Sequence, residues 1–347
     1  MSITSISKFA GIHPSFYDIE KIDAHMHLNT RRTCLQELAS DTNFELVSIN
    51  TEAEEFPDIS EQQQIIVTCR QKISNLYHLT TFSTANLDSD DWSDQAINHV
   101  ETGLEKGAVG VKIWKNVGMG LRDSKGHFVM VDDEVFTPLF DYMEKQNIPL
   151  LGHLGEPRNC WLPIEEMTVT SDKQYFAAHP QFHMYRHEEY PSYEQQLHAR
   201  DAMLAKHPNL RFIGAHLASI EWSIDKLAAW LDRFPNAVVD LAERVCHLQH
   251  QAVDEHKKVK EFVTAYQDRI LYGSDQIDDS SKKSEAIKKE LLTKWENEYN
   301  FFAHNTQQNA WNVEETFYGL ALDEEILKKL FCTNARRVYG LTEPNLL

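Results

Sequence analysis

The chain has 347 residues, 42% of them hydrophobic, and its 34 Lys and Arg against 53 Asp and Glu give a formal net charge of −19. That is enough apolar material for a sizeable core, while the acidic balance argues against a phosphate-backbone partner, so no nucleic acid is expected. No run of about 18 apolar residues suggests a membrane span, Met1–Lys8 lack the basic-then-apolar order of a signal peptide, and five cysteines without a CxxC pair read as reduced thiols of a cytoplasmic protein.

Ile22–Leu28 reads as the first strand. Ile22, Ala24, Met26 and Leu28 alternate with Asp23, His25 and His27, and side chains two apart leave a strand on one face. His25 and His27 are therefore expected to point together, close enough to chelate one divalent ion. Alone, His-x-His is a weak signal among 17 histidines. Strands are expected next over Phe44–Ile49 and Leu79–Ser83, then an amphipathic helix over Asp91–Lys106 with Trp92, Ala96, Ile97, Val100 and Leu104 on one face. Strand Gly110–Trp114 follows, placing Lys112 and Trp114 on a shared face, and a helix over Glu134–Gln146.

The second half repeats one pattern. Ile148–His153, Leu210–His216 and Ile270–Asp275 are each an apolar run, a small residue and then a potential metal ligand. Runs of that kind suit buried strands of a parallel sheet, whose C-terminal ends carry the active sites of such folds. Between them fall a helix over Trp222–Phe234, with Ser223 as N-cap, and a strand over Ala237–Leu241. Two stretches exceed the rhythm. One, between His153 and Leu210, carries Trp161, Tyr175, Phe176, Phe182, Tyr185, Arg186 and Tyr190. The other, after Asp275, runs through the charged stretch Lys282–Lys294 to Trp295, Tyr299, Phe301 and Phe302. Both leave the C-terminal ends of strands, so both are expected to overhang the active face, their aromatic residues either walling a pocket or packing on the barrel rim.

Eight strand–helix units in one chain predict an α/β fold, a (β/α)8 barrel with insertions after strands 5 and 8, as a single domain over 1–347. On that barrel His25, His27, His153 and Asp275 converge as ligands of one divalent transition metal, Zn2+ first, with Mn2+ or Fe2+ as alternates. Three neutral imidazoles, one carboxylate and a dication leave a net positive site that acidifies water and attracts a carboxylate or polarised carbonyl. His216 is assigned a catalytic role as base or charge stabiliser, and Asp275 a proton relay beside its ligand role. Lys112, Trp114, Arg186 and Arg244 are candidates for binding substrate, the arginines by gripping a carboxylate. Glu156 and Asp240 are candidates for orienting ligand histidines.

Asp23-Ala24-His25-Met26-His27, Gly110-Val111-Lys112-Ile113, Gly152-His153, the Pro208–His216 run, Gly273-Ser274-Asp275 and Asn334–Gly340 together resemble the amidohydrolase superfamily, more narrowly its "amidohydrolase 2" branch of hydrolases, decarboxylases and a few hydratases. The resemblance spans almost the whole chain. It implies a metal-dependent TIM-barrel enzyme with His25, His27, His153 and Asp275 as ligands. At the end of strand 4, where Lys112 stands, some superfamily members carry a carboxylated lysine bridging two metals. The expected activity is hydrolysis of an ester, lactone or amide carbonyl of a small organic substrate, an organic acid or a lactone, by metal-bound hydroxide. The alternative is non-oxidative decarboxylation of an aromatic or unsaturated acid. A non-catalytic metal-binding barrel is a third reading, and assembly into a homo-oligomer is compatible with all three.

Overall fold

A computed structural model describes residues 13–342; Met1–Lys8, read above for a leader, lie outside the described residues. Eight parallel strands follow in chain order: β1 Lys21–Leu28, β2 Phe44–Ile49, β3 Leu76–Leu79, β4 Val111–Ile113, β5 Leu150–Gly152, β6 Phe212–Gly214, β7 Val238–Asp240 and β8 Ile270–Leu271, with the short β9 Gln276–Asp278 continuing the line of β8. They form two arcs, ordered β3-β2-β1-β9 and β4-β5-β6-β7-β8. Backbone hydrogen bonds join the arcs at both seams. Thr80 donates to Gly110 O (3.0 Å) and Lys112 to Thr80 O (2.8 Å); Ala24 donates to Tyr272 O (2.9 Å) and Asp275 to His25 O (2.7 Å). The result is the expected (β/α)8, or TIM-barrel, architecture.

The helices form where apolar spacing asked for them. Trp92–Glu105 buries Trp92, Ala96 and Val100. Thr137–Lys145 buries Leu139, Phe140 and Met143. Ile224–Arg233 is capped by Ser223, whose side chain accepts from the Lys226 N–H. Their inner faces meet the outer faces of the strands in the main core, and a second cluster of Ile22, Ala24, Val47, Ile49, Leu151, Ile213 and Leu271 forms a separate layer with the closing helix Asn334–Tyr339.

Three expectations need correction. The third strand lies at Leu76–Leu79, not Leu79–Ser83; His78, polar in sequence, is fully buried there with Nε2 on Gln63. The first strand does not alternate throughout. Its pairing with β2 slips between Asp23↔Leu46 and Met26↔Ser48, three steps on one strand against two on the other. Before this bulge Ile22 and Ala24 belong to the second cluster; after it Met26 and Leu28 belong to the main core. Asp23 is therefore turned to Trp295 (2.8 Å) while His25 and His27 face the site.

The third correction concerns the stretch after Asp275. Trp295, Tyr299, Phe301 and Phe302 are fully buried on the helix Ser284–Ala303, Trp295 stacked on Phe44, Tyr299 edge-on to Phe16, Phe301 edge-on to Phe317 and Phe302 edge-on to Phe331, so they wall no pocket. A hairpin of β10 Gln307–Ala310 and β11 Val313–Tyr318 follows. The stretch after β5 folds on itself. Short turns and the helix Thr170–Ala178 enclose a small core of Cys160, Met167, Phe176 and Met184. All five cysteines are buried and unpaired with one another.

Candidate metal centre

Each imidazole is aimed by an oxygen acceptor behind it. His25 Nδ1 lies 2.7 Å from Asp240 Oδ2, His27 Nδ1 lies 2.9 Å from Ile49 O, and His216 Nδ1 lies 2.9 Å from Ala242 O. Acceptors take N–H, so all three Nδ1 atoms carry the proton and all three Nε2 atoms present lone pairs. Those Nε2 atoms converge. His25 Nε2 is 3.3 Å and His27 Nε2 3.4 Å from Asp275 Oδ1, and ligand atoms of His25, His216 and Asp275 all lie within 4.8 Å of one another. Ligands about 2.0–2.1 Å from a tetrahedral Zn2+ stand roughly 3.3–3.4 Å apart, so the spacing is that of a coordination shell. His25 Nε2 and His153 Nε2 are buried and make no hydrogen bond among the described residues. The donor set fits a divalent transition metal.

His153 joins through His216, its Nδ1 3.2 Å from His216 Nε2. Because the proton of His216 is spent on Ala242 O, His153 Nδ1–H must be the donor, which leaves its Nε2 lone pair free. Glu156 Oε2 is 4.0 Å from that atom, and the other carboxylate oxygen of Glu156 is paired with Lys115. Asp240 does more than orient His25. Its Oδ1 also accepts the backbone N–H of His216 (2.7 Å) and of Ala242 (3.2 Å), so one carboxylate at the end of β7 fixes β1 and β6 together.

The backbone beneath the site is strained. His216, Leu217, Ala218 and Ser219 are consecutive left-handed residues with φ between 54° and 58°, and Glu243 (54°) and Asp275 (59°) share that region. Each such non-glycine residue costs about 1–2 kcal/mol. Packing imposes the turn, since the carbonyls of Leu154 and Gly155 both accept from Ser219 Oγ. Strain of this kind gathers at functional sites.

Burial favours the neutral form of His27, His153 and His216. It pushes His216 down to about 3 and His153 well below the usual histidine range. On Asp275 burial pushes upward, but His25, His27 and His216 around it hold the carboxyl well below the usual carboxylate range. Burial also brings Lys112 down to about 8, with Asp240 and Asp275 pulling the other way. Lys112 is 1% exposed, and its Nζ makes no hydrogen bond among the described residues. Lysine and site thus face each other with the ammonium unspent.

The remaining candidates are distributed unevenly. Trp114 is half-buried, with Lys115 Nζ 5.9 Å from its ring. Arg244 follows the carbonyl that holds His216 by two residues. Its Nε is buried without a hydrogen bond, and the carboxylates of Asp172 and Glu221 raise its pKa against burial. Arg186 stays exposed on the turn Met184–Arg186, and among the described residues no hydrogen bond or ion pair links its side chain to His25, His27, His153 or His216. Sequence reading missed Ile49 O and Ala242 O, which as backbone carbonyls leave no signature, and Phe56, whose ring stands 5.1 Å from His27. It also missed Asp172, which reaches from the insertion to Asn159 (2.8 Å) and His247 (3.4 Å).

A family model described as "Amidohydrolase" matches residues 83–341. No curated protein matches the sequence. Among solved structures, an uncharacterized TIM-barrel protein from Bordetella bronchiseptica is 12% identical with a TM-score of 0.50, over 93% of this chain and 99% of that one. A 2,6-dihydroxybenzoate decarboxylase from Rhizobium is 14% identical with a TM-score of 0.51, over 92% and 98%. A putative amidohydrolase from Staphylococcus aureus is 11% identical with a TM-score of 0.50, over 93% and 100%. At those identities the likeness is one of fold.

Proposed function

Because the chain belongs to the amidohydrolase family, we propose that it is a metal-dependent hydrolase acting on the ester, lactone or amide carbonyl of a small organic substrate. The observation that supports this reading is the shared tautomer of His25 and His27, each with Nδ1 on an oxygen acceptor, which turns two Nε2 lone pairs toward Asp275 Oδ1. His25, His27, His153 and Asp275 would hold one divalent ion, Zn2+ before Mn2+ or Fe2+. That ion, when bound, supplies Lewis-acid polarisation of the carbonyl and a water of lowered pKa.

The protein's own groups do the rest. Asp275 keeps its carboxylate ionised under burial, so it can accept a proton from the attacking water and return it to the leaving group. His216, neutral and braced by Ala242 O, would act through Nε2 as a second proton acceptor. Lys112 Nζ and Arg244 Nε are buried donors without hydrogen bonds among the described residues, and we assign them to a carboxylate or carbonyl oxygen of the substrate. Trp114 borders the same strand end, and Arg186 would join only if the insertion closes over the site.

Lys112, whose buried Nζ makes no hydrogen bond among the described residues, also favours a second reading, non-oxidative decarboxylation of an aromatic or unsaturated acid. One assay separates the two. Metal-loaded protein is incubated with lactones, amides and aromatic acids while acid release and CO2 release are followed together. Acid release without CO2 supports the hydrolase, and CO2 from an aromatic acid replaces it with the decarboxylase. Turnover unaffected by stripping the metal would overturn both.

A further inference from the structure

At the opposite, N-terminal end of the barrel strands a second group of metal-type side chains meets. His207 ends the helix Tyr193–Lys206 ahead of β6, and Asp141 and Glu144 stand one turn apart on the helix Thr137–Lys145 ahead of β5. His207 is 2% exposed. Its Nδ1 lies 3.3 Å from Asp141 Oδ1 and 4.0 Å from Glu144 Oε2, yet this buried atom makes no hydrogen bond among the described residues. The three ligand atoms lie within 4.8 Å of one another. We propose that Asp141, Glu144 and His207 form a second, structural site for a divalent transition metal, Zn2+ being the best match, with water completing the shell.

The geometry separates this from an ordinary ion pair. A protonated His207 would direct Nδ1–H into a carboxylate lone pair, and no such bond forms despite the proximity. The adjacent ammonium does not fill the gap, because Lys206 Nζ is bonded to Thr137 Oγ1 at 2.8 Å. The ligands are also held. Glu144 Oε1 accepts the Asn209 N–H (2.6 Å), leaving Oε2 for His207, and the imidazole packs edge-on to Phe140 with centroids 5.6 Å apart. The 3.3 Å separation is about the ligand spacing of tetrahedral Zn2+. Two carboxylates and a neutral imidazole cancel a dication, and an imidazole in the set disfavours Ca2+ and Mg2+. The N-terminal end of a barrel serves stability, so the ion would clamp two neighbouring helices and leave the chemistry alone.

The test is the Zn2+ content of stripped and reloaded protein after equilibrium dialysis, read by elemental analysis. Wild type should hold two ions per chain, and Asp141→Asn and Glu144→Gln one each, both still active. Asp141 is a mostly exposed side chain, so that variant should fold. His27→Ala should keep one ion and still gain thermal stability from Zn2+, a gain that vanishes when Asp141→Asn is added. Asp141→Asn and Glu144→Gln with the Zn2+ content of wild type would overturn the site, as would His27→Ala that binds none. The barrel centre is judged separately, by whether His27→Ala loses an ion at all.

Discussion

His27 and His216 are built alike, each with Nδ1 on a backbone carbonyl and Nε2 facing inward, but we assign them different work. Substituting His27 removes a ligand; substituting His216 removes a group beside the ion. We expect His216→Ala to keep its barrel metal while losing roughly 10²–10⁴-fold in kcat, the usual contribution of a positioned acid or base. His27→Ala should lose metal and activity together. Metal analysis and kinetics on the two variants decide it: equal metal loss would make His216 a ligand, a role its closeness to His25 and Asp275 allows geometrically. His216 could be singled out because it follows an apolar run and a small residue, a pattern that parallel strands impose, and His27 because it shares a strand face with His25 two residues before it. Asp240 was legible for the same reason, as an acid ending a buried strand. What could not be read was the pairing: which carbonyl braces which ring depends on neighbours more than 20 residues away in sequence.

At the level of elements, β1 and the segment after β8 approach so closely that only glycine fits between them. A Cβ on Gly273 would stand 2.7 Å from His25 Cβ and 3.2 Å from His25 N, and β1 cannot yield because β2 and β9 hold it on both sides. We expect Gly273→Ala to cost about 1–3 kcal/mol, the range for overpacking, and to weaken metal binding by displacing His25. Gly120→Ala is the control, since a Cβ there meets nothing closer than 3.9 Å. Denaturant midpoints and Zn2+ affinities of the two variants check this; equal stability would show that the seam is looser than its spacing implies. Most element bounds followed from periodicity, and the errors have physical causes. The bulge in β1 left the apolar–polar alternation intact while reversing its direction. Ile287, Leu291, Trp295, Tyr299 and Phe302 recur every three or four residues and so announced a buried helix, but aromatic content suggested a loop over the pocket. Composition cannot tell those apart; period can.

Over the whole molecule, charge works against the proposed chemistry and the site works for it. A chain of net charge −19 repels an organic anion at long range, but beyond a Debye length of about 8 Å at physiological salt that field is largely screened. Inside the barrel a bound dication would work the other way. Lys112 is buried with its ammonium unspent, Arg244 has a buried donor without a partner, and a bound dication would add to both. The two ranges respond differently to salt. For an acidic substrate kcat/KM should rise several-fold as ionic strength relieves the repulsion, while a neutral analogue should change little. Arg244→Gln should raise KM for the acidic substrate by about 10–100-fold, the value of a charge-assisted hydrogen bond, and leave that for the neutral analogue nearly unchanged. The salt response itself should persist in the variant, because it belongs to the surface. Steady-state kinetics of wild type and Arg244→Gln on an acid and its neutral analogue, across a salt series, read both effects at once. A kcat/KM that falls with salt for the acid would mean that a positive field reaches beyond the pocket, and equal KM changes for both substrates would remove Arg244 from carboxylate recognition.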